Sequence, residues 1–290
     1  MRAVPEQYEM VSPGDLGSVL KLMASEPGRW LPVAGGTEVM VQYSAGRLPQ
    51  RNLINLWNLP ELRRIEVLPD AVVIGGGCTF AEIRAQDVIA AEFPMLAKAA
   101  AWIGGIANQN RATLAGNLAN ASPAADSPPA LLAYEAEVAM VSARGTRRIP
   151  YKDFHLGYKQ TALAADELIL GLRLPRRFAG WREYVRKVGA RNAQAISKVC
   201  IAAQAQVQGD VVEEIRMGMG SVAPVPLRLV TIEDRVAGRK VDAALIAECR
   251  QLLDTMIAPI DDIRSTMEYR RQVAGNVLED CLRTLAGVSR

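Results

Sequence analysis

Residues 113–126 read TLAGNLANASPAAD. One charge, Asp126, stands at the end of these fourteen residues. Asn117, Asn120 and Ser122 each offer an amide or hydroxyl, Thr113 opens the stretch and Pro123 stiffens its exit. Residues this small and polar cannot build a core by themselves. Nine of the residues in 101–130 are alanine, which suggests close packing against something large rather than a solvated surface. Residues 104–126 show little periodicity and read as one long loop, and long loops inside compact domains are usually functional. A surface loop with helix-capping Asx residues is the competing reading.

A second stretch, PVAGGTEV (32–39), stands between an expected strand and an expected helix. The pair Gly35-Gly36 lets the backbone turn sharply and approach a ligand. Successive free N–H groups at such a turn form an anion-binding concavity, aided by the positive end of the following helix. Thr37 adds a hydroxyl, and a pyrophosphate is the natural occupant. The stretch is neither the dinucleotide fingerprint nor a Walker loop. In the first stretch Ala115-Gly116 supplies a further point of close approach, and Asp126 is placed to accept from a ribityl or ribose hydroxyl.

The totals narrow the function class. The chain has 290 residues, half of them apolar, so it can bury a sizeable core, and its size suggests two domains. Net charge is +3, with no basic run interleaved with aromatics, which argues against nucleic acid. No apolar run is long enough for a membrane span, and MRAVPEQYEM lacks the apolar heart of a signal peptide, so a cytoplasmic protein is expected. Cys78, Cys200, Cys249 and Cys281 stand more than thirty residues apart and read as buried thiols, not as metal or cluster ligands. His155 is the one histidine. A multi-histidine metal site is excluded, and no G-x-S-x-G accompanies it for a triad.

Along the chain, 12–25 reads as a helix capped by Ser12, with Leu16, Val19, Leu20 and Met23 on one face. Strands are expected at 30–36 and 52–56, a hairpin around Pro69-Asp70, and a capping box at Thr79–Glu82. Helices follow over 94–103 and from Ser127, then a hairpin (EVAMVS, TRRIP) and a strand over 167–175. A strand near 183–188, a long hairpin turning at Gly209-Asp210 and two helices complete the chain, the last capped from Ser265. Strands grouped ahead of helices indicate an α+β unit after a linker at 176–180.

VAGGTEVMVQ followed by NRATLAGNLANASPAADSPPALLA resembles the FAD-binding subunit of the molybdenum hydroxylases, the relatives of xanthine dehydrogenase, carbon monoxide dehydrogenase and aldehyde oxidoreductase. GYKQTALAADELILGLRLP and YVRKVGARNAQAISKV extend the resemblance over essentially the whole chain. The resemblance implies an α+β fold of the vanillyl-alcohol-oxidase type: a FAD-binding domain of two subdomains at 1–176, then a small α+β C-terminal domain at 177–290. It implies non-covalent FAD in this chain, with no histidine beside Gly35-Gly36 to attach it. Molybdopterin is expected on a large partner subunit and [2Fe–2S] clusters on a small one, with NAD as a candidate acceptor. By position, Pro32, Val33, Ala34, Gly35, Gly36, Thr37, Glu38 and Val39 are implied to hold the pyrophosphate and neighbouring groups. Thr113, Leu114, Ala115, Gly116 and Asn117 are implied to contact the cofactor's second side, and Ser122 and Asp126 its ribityl and phosphate region. Leu170 is implied to pack near the isoalloxazine. Lys187 is implied near the flavin ring, its charge favouring the reduced anion; a solvated strand lysine is the alternative. Three positions depart from the family pattern: Ala115 replaces a glycine, ANQNRAT keeps part of an Arg-Asn pair, and Ile103, implied to contact the cofactor, stands where some relatives have an aromatic, so stacking there is lost.

An electron-transfer subunit needs no acid–base residue of its own. A self-sufficient flavoprotein oxidoreductase would need a base, for which Tyr158, Tyr184 and Arg191 are available. Ala115 suggests a third reading, a flavin-free scaffold.

Overall fold

The computed structural model describes residues 4–191 and 194–288. It opens with a βαβαβ unit. Strands β1 (Glu9–Val11), β2 (Trp30–Val33) and β3 (Asn52–Asn55) lie parallel in the order β1-β3-β2, connected through α1 (Leu16–Ser25) and α2 (Val39–Ser44). Helix α1 buries Val19, Leu20 and Met23, as its spacing predicts. Its cap is Asp15, not Ser12. The Asp15 carboxylate accepts from the Ser18 amide at 2.7 Å and from the Ser18 hydroxyl at 2.8 Å. These bonds hold that carboxyl below the usual range. The Ser12 hydroxyl instead accepts from Asn55 Nδ2 at 3.2 Å, fastening the loop before α1 to β3.

The second sheet is antiparallel. It comprises β4 (Ile65–Val67), β5 (Ala71–Gly75), β6 (Glu137–Ser142), β7 (Gly145–Pro150) and β10 (Leu168–Pro175), in the order β4-β5-β10-β6-β7. Both expected hairpins are present. A two-stranded ribbon of β8 (His155–Gly157) and β9 (Gln160–Thr161) precedes β10. Six helices fill the space between β5 and β6: α3 (Phe80–Arg84), α4 (Asp87–Glu92), α5 (Pro94–Trp102), α6 (Ile106–Gln109), α7 (Leu114–Ala119) and α8 (Ser127–Ala133). The capping box of α3 forms as expected. The single loop expected over 104–126 is replaced by α6 and α7, which are four and six residues long, too short to show a helical period.

The third sheet runs β11 (Arg182–Val188), β12 (Val199–Gln208), β13 (Val211–Gly220) and β14 (Leu227–Arg228), with β15 (Arg239–Lys240) on β13. Helices α9 (Val230–Val236), α10 (Ala243–Met256) and α11 (Met267–Ala286) accompany it. Residues 221–240 carry no expected element. Their two-residue strands and seven-residue helix are too brief for sequence periodicity to show them. Helix α11 is capped by Thr266, one residue after the expected Ser265, and closes on Gly287 at φ +73°. Ser265 lies in a turn, its amide donating to Asp262 Oδ1 at 3.1 Å.

Strand β12 explains how the two halves meet. Val199, Ile201, Ala203 and Ala205 face a core shared with α10 and α11. The alternate residues face α8: Ala202 joins its core, and Gln204 Nε2 donates to Ala133 O at 2.7 Å. With both faces covered, the first five residues of the strand, 199–203, read as a continuous apolar run. All seven residues of α8 are buried. Gly218 on β13 leaves room for this helix, because a Cβ there would lie 2.3 Å from Pro129 O. Beyond α8, Glu135 gathers Arg177, Arg216 and Arg228. Burial raises its carboxyl, but hydrogen bonds from Arg177 and Arg228 outweigh that and hold it at about 2. All four cysteines are buried.

Two expectations follow from this seam. Adding a methyl at Gly218→Ala should lift α8 and cost about 1–3 kcal/mol, read by denaturant unfolding. Glu183 on β11 accepts from the Tyr134 hydroxyl at 2.8 Å, while its Oε2 is buried with no partner among the described residues. Burial pushes its carboxyl from 4.5 to about 7. The folded chain therefore takes up a proton in that window, and stability falls as pH rises through it. Glu183→Gln should raise the melting temperature near pH 8, with the gain vanishing near pH 4.5, in paired thermal melts.

Candidate functional site

The site grows from the carboxyl end of β2. In parallel β/α units, ligands bind where strands end and helices begin, and residues 34–38 occupy that place between β2 and α2. Gly36 sits at φ +74°, a left-handed conformation that bends the chain back. Among the described residues, the amides of Gly35, Gly36, Thr37 and Glu38 donate to no protein acceptor. Four successive open N–H groups form a nest for an anion. Helix α2 has only six residues, so the nest amides contribute more here than a helix dipole.

The second glycine loop lies directly against the first. A Cβ on Gly35 would fall 1.6 Å from Arg111 O, so the two backbones touch only because Gly35 has no side chain. Arg111 Nε donates to Gly35 O at 3.4 Å, and its guanidinium stacks 3.8 Å over Trp57. Trp57 also carries Arg63, which pairs with Glu82 of the α3 capping box. The first loop is thereby tied to α3.

The amides that open α7 differ from those of the nest. Leu114 N donates to Cys78 O and Ala115 N to Gly76 O, both at 3.0 Å, while Gly116 N donates to Thr113 Oγ1 at 3.1 Å. The first amides of α7 are therefore spent within the protein, and the second loop turns side chains toward the cleft. Ala115 also has a place of its own. Its methyl lies where a Cβ on Gly76 would come within 2.9 Å, so Gly76 accommodates it on the side toward β5.

Between the loops lies a cavity of about 750 Å³, within the ~300–1,000 Å³ typical of ligand sites. Its walls bring together eleven of the implied residues: Pro32, Ala34, Gly35, Gly36, Thr37, Glu38, Val39, Ile103, Thr113, Gly116 and Asn117. Val33 and Leu114 are buried behind it. Leu170 packs against the core under α1 and β2, and its carbonyl accepts from Gly76 N at 2.8 Å. Ser122 lines a second cavity of about 500 Å³ that shares Glu38, Asn120 and Lys159 with the first.

Asp126 and Lys187 meet each other. Lys187 Nζ donates to Asp126 Oδ2 at 2.6 Å, and Ser197 Oγ donates to Asp126 Oδ1 at 2.6 Å. Their side chains are 9% and 10% exposed, which rules out a solvated lysine. Burial raises the Asp126 carboxyl against the pull of Lys187 and Ser197.

Sequence reasoning overlooked several lining groups, among them Gln42, Gln50, Asn108 and Lys159. Lys159 sits at φ +57° at the tip of the β8–β9 ribbon, with Nζ 2.7 Å from both Asn120 O and Oδ1. These residues come from separate elements, and no local motif marks them. Tyr158 lines the second cavity, whereas the Tyr184 hydroxyl donates to Asp280 at 2.7 Å in the C-terminal core. His155 donates from Nε2 to Leu118 O at 3.0 Å, and burial lowers its pKa.

An anion nest, a second polar loop in backbone contact with it and the cavity between them define a nucleotide-cofactor site on a mixed α/β scaffold. Residues 6–177 match the FAD binding domain in molybdopterin dehydrogenase, and residues 184–285 match the CO dehydrogenase flavoprotein C-terminal domain. The chain is 29% identical to the xanthine dehydrogenase FAD-binding subunit of Escherichia coli O157:H7 over 259 residues, 88% of each chain. It is 30% identical to the nicotine 6-hydroxylase medium subunit of Paenarthrobacter nicotinovorans over 262 residues, 89% of this chain and 90% of that one. A solved carbon monoxide dehydrogenase from Hydrogenophaga pseudoflava matches with a TM-score of 0.92 at 26% identity, covering 98% of this chain and 99% of that one. The chain belongs to the FAD-binding subunits of the molybdenum hydroxylases, a family of oxidoreductase subunits.

Gly35→Ala would force the two loops apart. It should weaken FAD retention at least about tenfold, measured by the fluorescence of released flavin.

Proposed function

We propose that this chain is the FAD-bearing electron-transfer subunit of a three-part complex. A large molybdopterin subunit would oxidise the substrate, and a small [2Fe–2S] subunit would relay the electrons to this chain. The observation that carries the reading is the run of four open amides at 35–38 in backbone contact with the loop before α7. A dense anion fits this nest. The cleft beyond it is lined by the neutral donors and acceptors Gln42, Gln50, Asn108, Asn117 and Asn120, suited to a sugar and a ribityl chain, with Glu38 and Lys159 as its charged groups.

In this reading the Gly35–Glu38 amides and the Thr37 hydroxyl hold the pyrophosphate. Asn117 and Thr113 orient the opposite side, and Ser122 reaches the ribityl end from the second cavity. Ile103 and Leu170 supply apolar surface near the ring, and Lys187 stands by it paired with Asp126. FAD, when bound, would accept two electrons and one proton from solvent and supply them together as hydride to a soluble acceptor, for which NAD is the candidate. The chain's own residues bind and orient the cofactor, and no side chain is needed as an acid or base. Non-covalent binding is supported by the single histidine, which is committed to Leu118 O. Burial also pushes the thiols of Cys78 and Cys200 up to about 11 and about 12, far from nucleophilic. The division at 176/177 is supported by the connection between β10 and β11, where the sheet changes. No helix among the described residues is long and apolar enough to cross a membrane. The four buried, unbonded cysteines favour a reducing compartment, the cytoplasm.

Purified chain mixed with FAD and desalted should keep about one flavin per chain. NADH should bleach its visible bands, while substrate turnover should need the partner subunits. Absence of flavin after reconstitution would sink the reading, and turnover by the chain alone would replace it with the self-sufficient oxidoreductase.

A further inference from the structure

Asp126 stands at the N-terminus of α8, in the first half of the chain, yet both of its oxygens are taken by the second half. Oδ2 accepts from Lys187 at 2.6 Å and Oδ1 from Ser197 at 2.6 Å. Lys187 is the penultimate residue of β11 and Ser197 lies two residues before β12, so one carboxylate holds both flanks of the connection between these strands. The Lys198 amide, donating to Val188 O at 2.8 Å, closes the same connection at its base. Lys187 Nζ also lies 3.4 Å from Trp102 O, next to Ile103 on the wall of the first cavity, while Ser197 lines the second. The cluster therefore lies behind the wall where the two cavities adjoin, Ser197 alone of the three lining a cavity.

We propose that Asp126 is a positioning and charge-compensating residue, clamping Lys187 and Ser197 at this wall so that a flavin held there meets a neutral ion pair instead of a bare ammonium. The inference rests on the reading that the first cavity holds FAD. A reduced flavin is anionic, so a nearby uncompensated cation favours the reduced form and an uncompensated anion disfavours it. With both carboxylate oxygens engaged by protein donors, Asp126 acts on the cofactor through Lys187.

The test is a dye-equilibration titration of the flavin in the full-length holoprotein. Asp126→Asn leaves the ammonium uncompensated and should raise the midpoint potential, increasing the reduced-to-oxidised ratio at a fixed poise by roughly tenfold. Lys187→Gln leaves the carboxylate uncompensated and should move the potential the other way. Asp126→Asn combined with Lys187→Gln should return it close to the starting value. Ser197→Ala removes a hydrogen bond without changing charge and should leave the potential in place. Potentials unmoved in both charge variants, or moved in the same direction, overturn the proposal. So does flavin loss from either single variant that the double variant does not reverse; restored binding in the double variant supports the pair. If the unaltered protein itself holds no FAD, it is the underlying reading that fails, and the two failures are told apart by that control.

Discussion

The approach of Gly35 to the Arg111 carbonyl organises this molecule. Two backbones come closer than any side chain allows, and their contact sets the width of the cleft. On one side the chain has just left a parallel strand and exposes consecutive amides. On the other it is about to enter α7, whose first amides are spent on Cys78, Gly76 and Thr113. One lip of the cleft is thus open for an anion. The other is anchored in protein and contributes side chains. Arg111, lying flat on Trp57 while reaching the Gly35 carbonyl, braces the contact from outside.

The rest of the fold carries this contact. The three glycines at 75–77 close β5, and Gly76 pairs with Leu170 on one side and Ala115 on the other. Behind them, α8 is packed into the face of β12 and β13, where Gly218, Gly220 and Ala202 keep the surface low. Its last carbonyls are met by Gln204, donating to Ala133 O, and by Arg228, donating to Leu132 O. The polar ends of a wholly buried helix are satisfied across the seam, so burying it leaves few backbone groups unpaired.

Much of this was legible before any coordinates, and the reasons are physical. Both hairpins of the second sheet, the two-residue turn of the long hairpin at Gly209-Asp210 and the α3 capping box are local in sequence, and each residue involved could be read in place. The two glycine loops were legible because close backbone approach leaves a compositional trace. What stayed hidden was made by distance. Lys159 reaches Asn120 across 39 residues, and Asp126 reaches Lys187 across 61, with no motif between them. Asp126 read as a ribityl partner because an acidic residue at the end of a polar loop offers itself to hydroxyls, and nothing local shows that two donors already occupy it. Some short elements escaped for another reason: α6, α7, α9 and the two-residue strands fall below the window in which a period can be counted. The caps at Asp15 and Thr266 were missed by a few residues because serine, threonine and aspartate stand side by side and all cap well.

The burial of α8 bears on how such chains can be recombined. A helix whose every residue is covered, half by its own domain and half by the next, is shared property. Splicing the front portion of one relative onto the back portion of another would seat these seven residues on a foreign sheet. The join would hold only where the recipient had glycine at the places equivalent to 218 and 220, so the boundary drawn along the chain is the wrong place to cut.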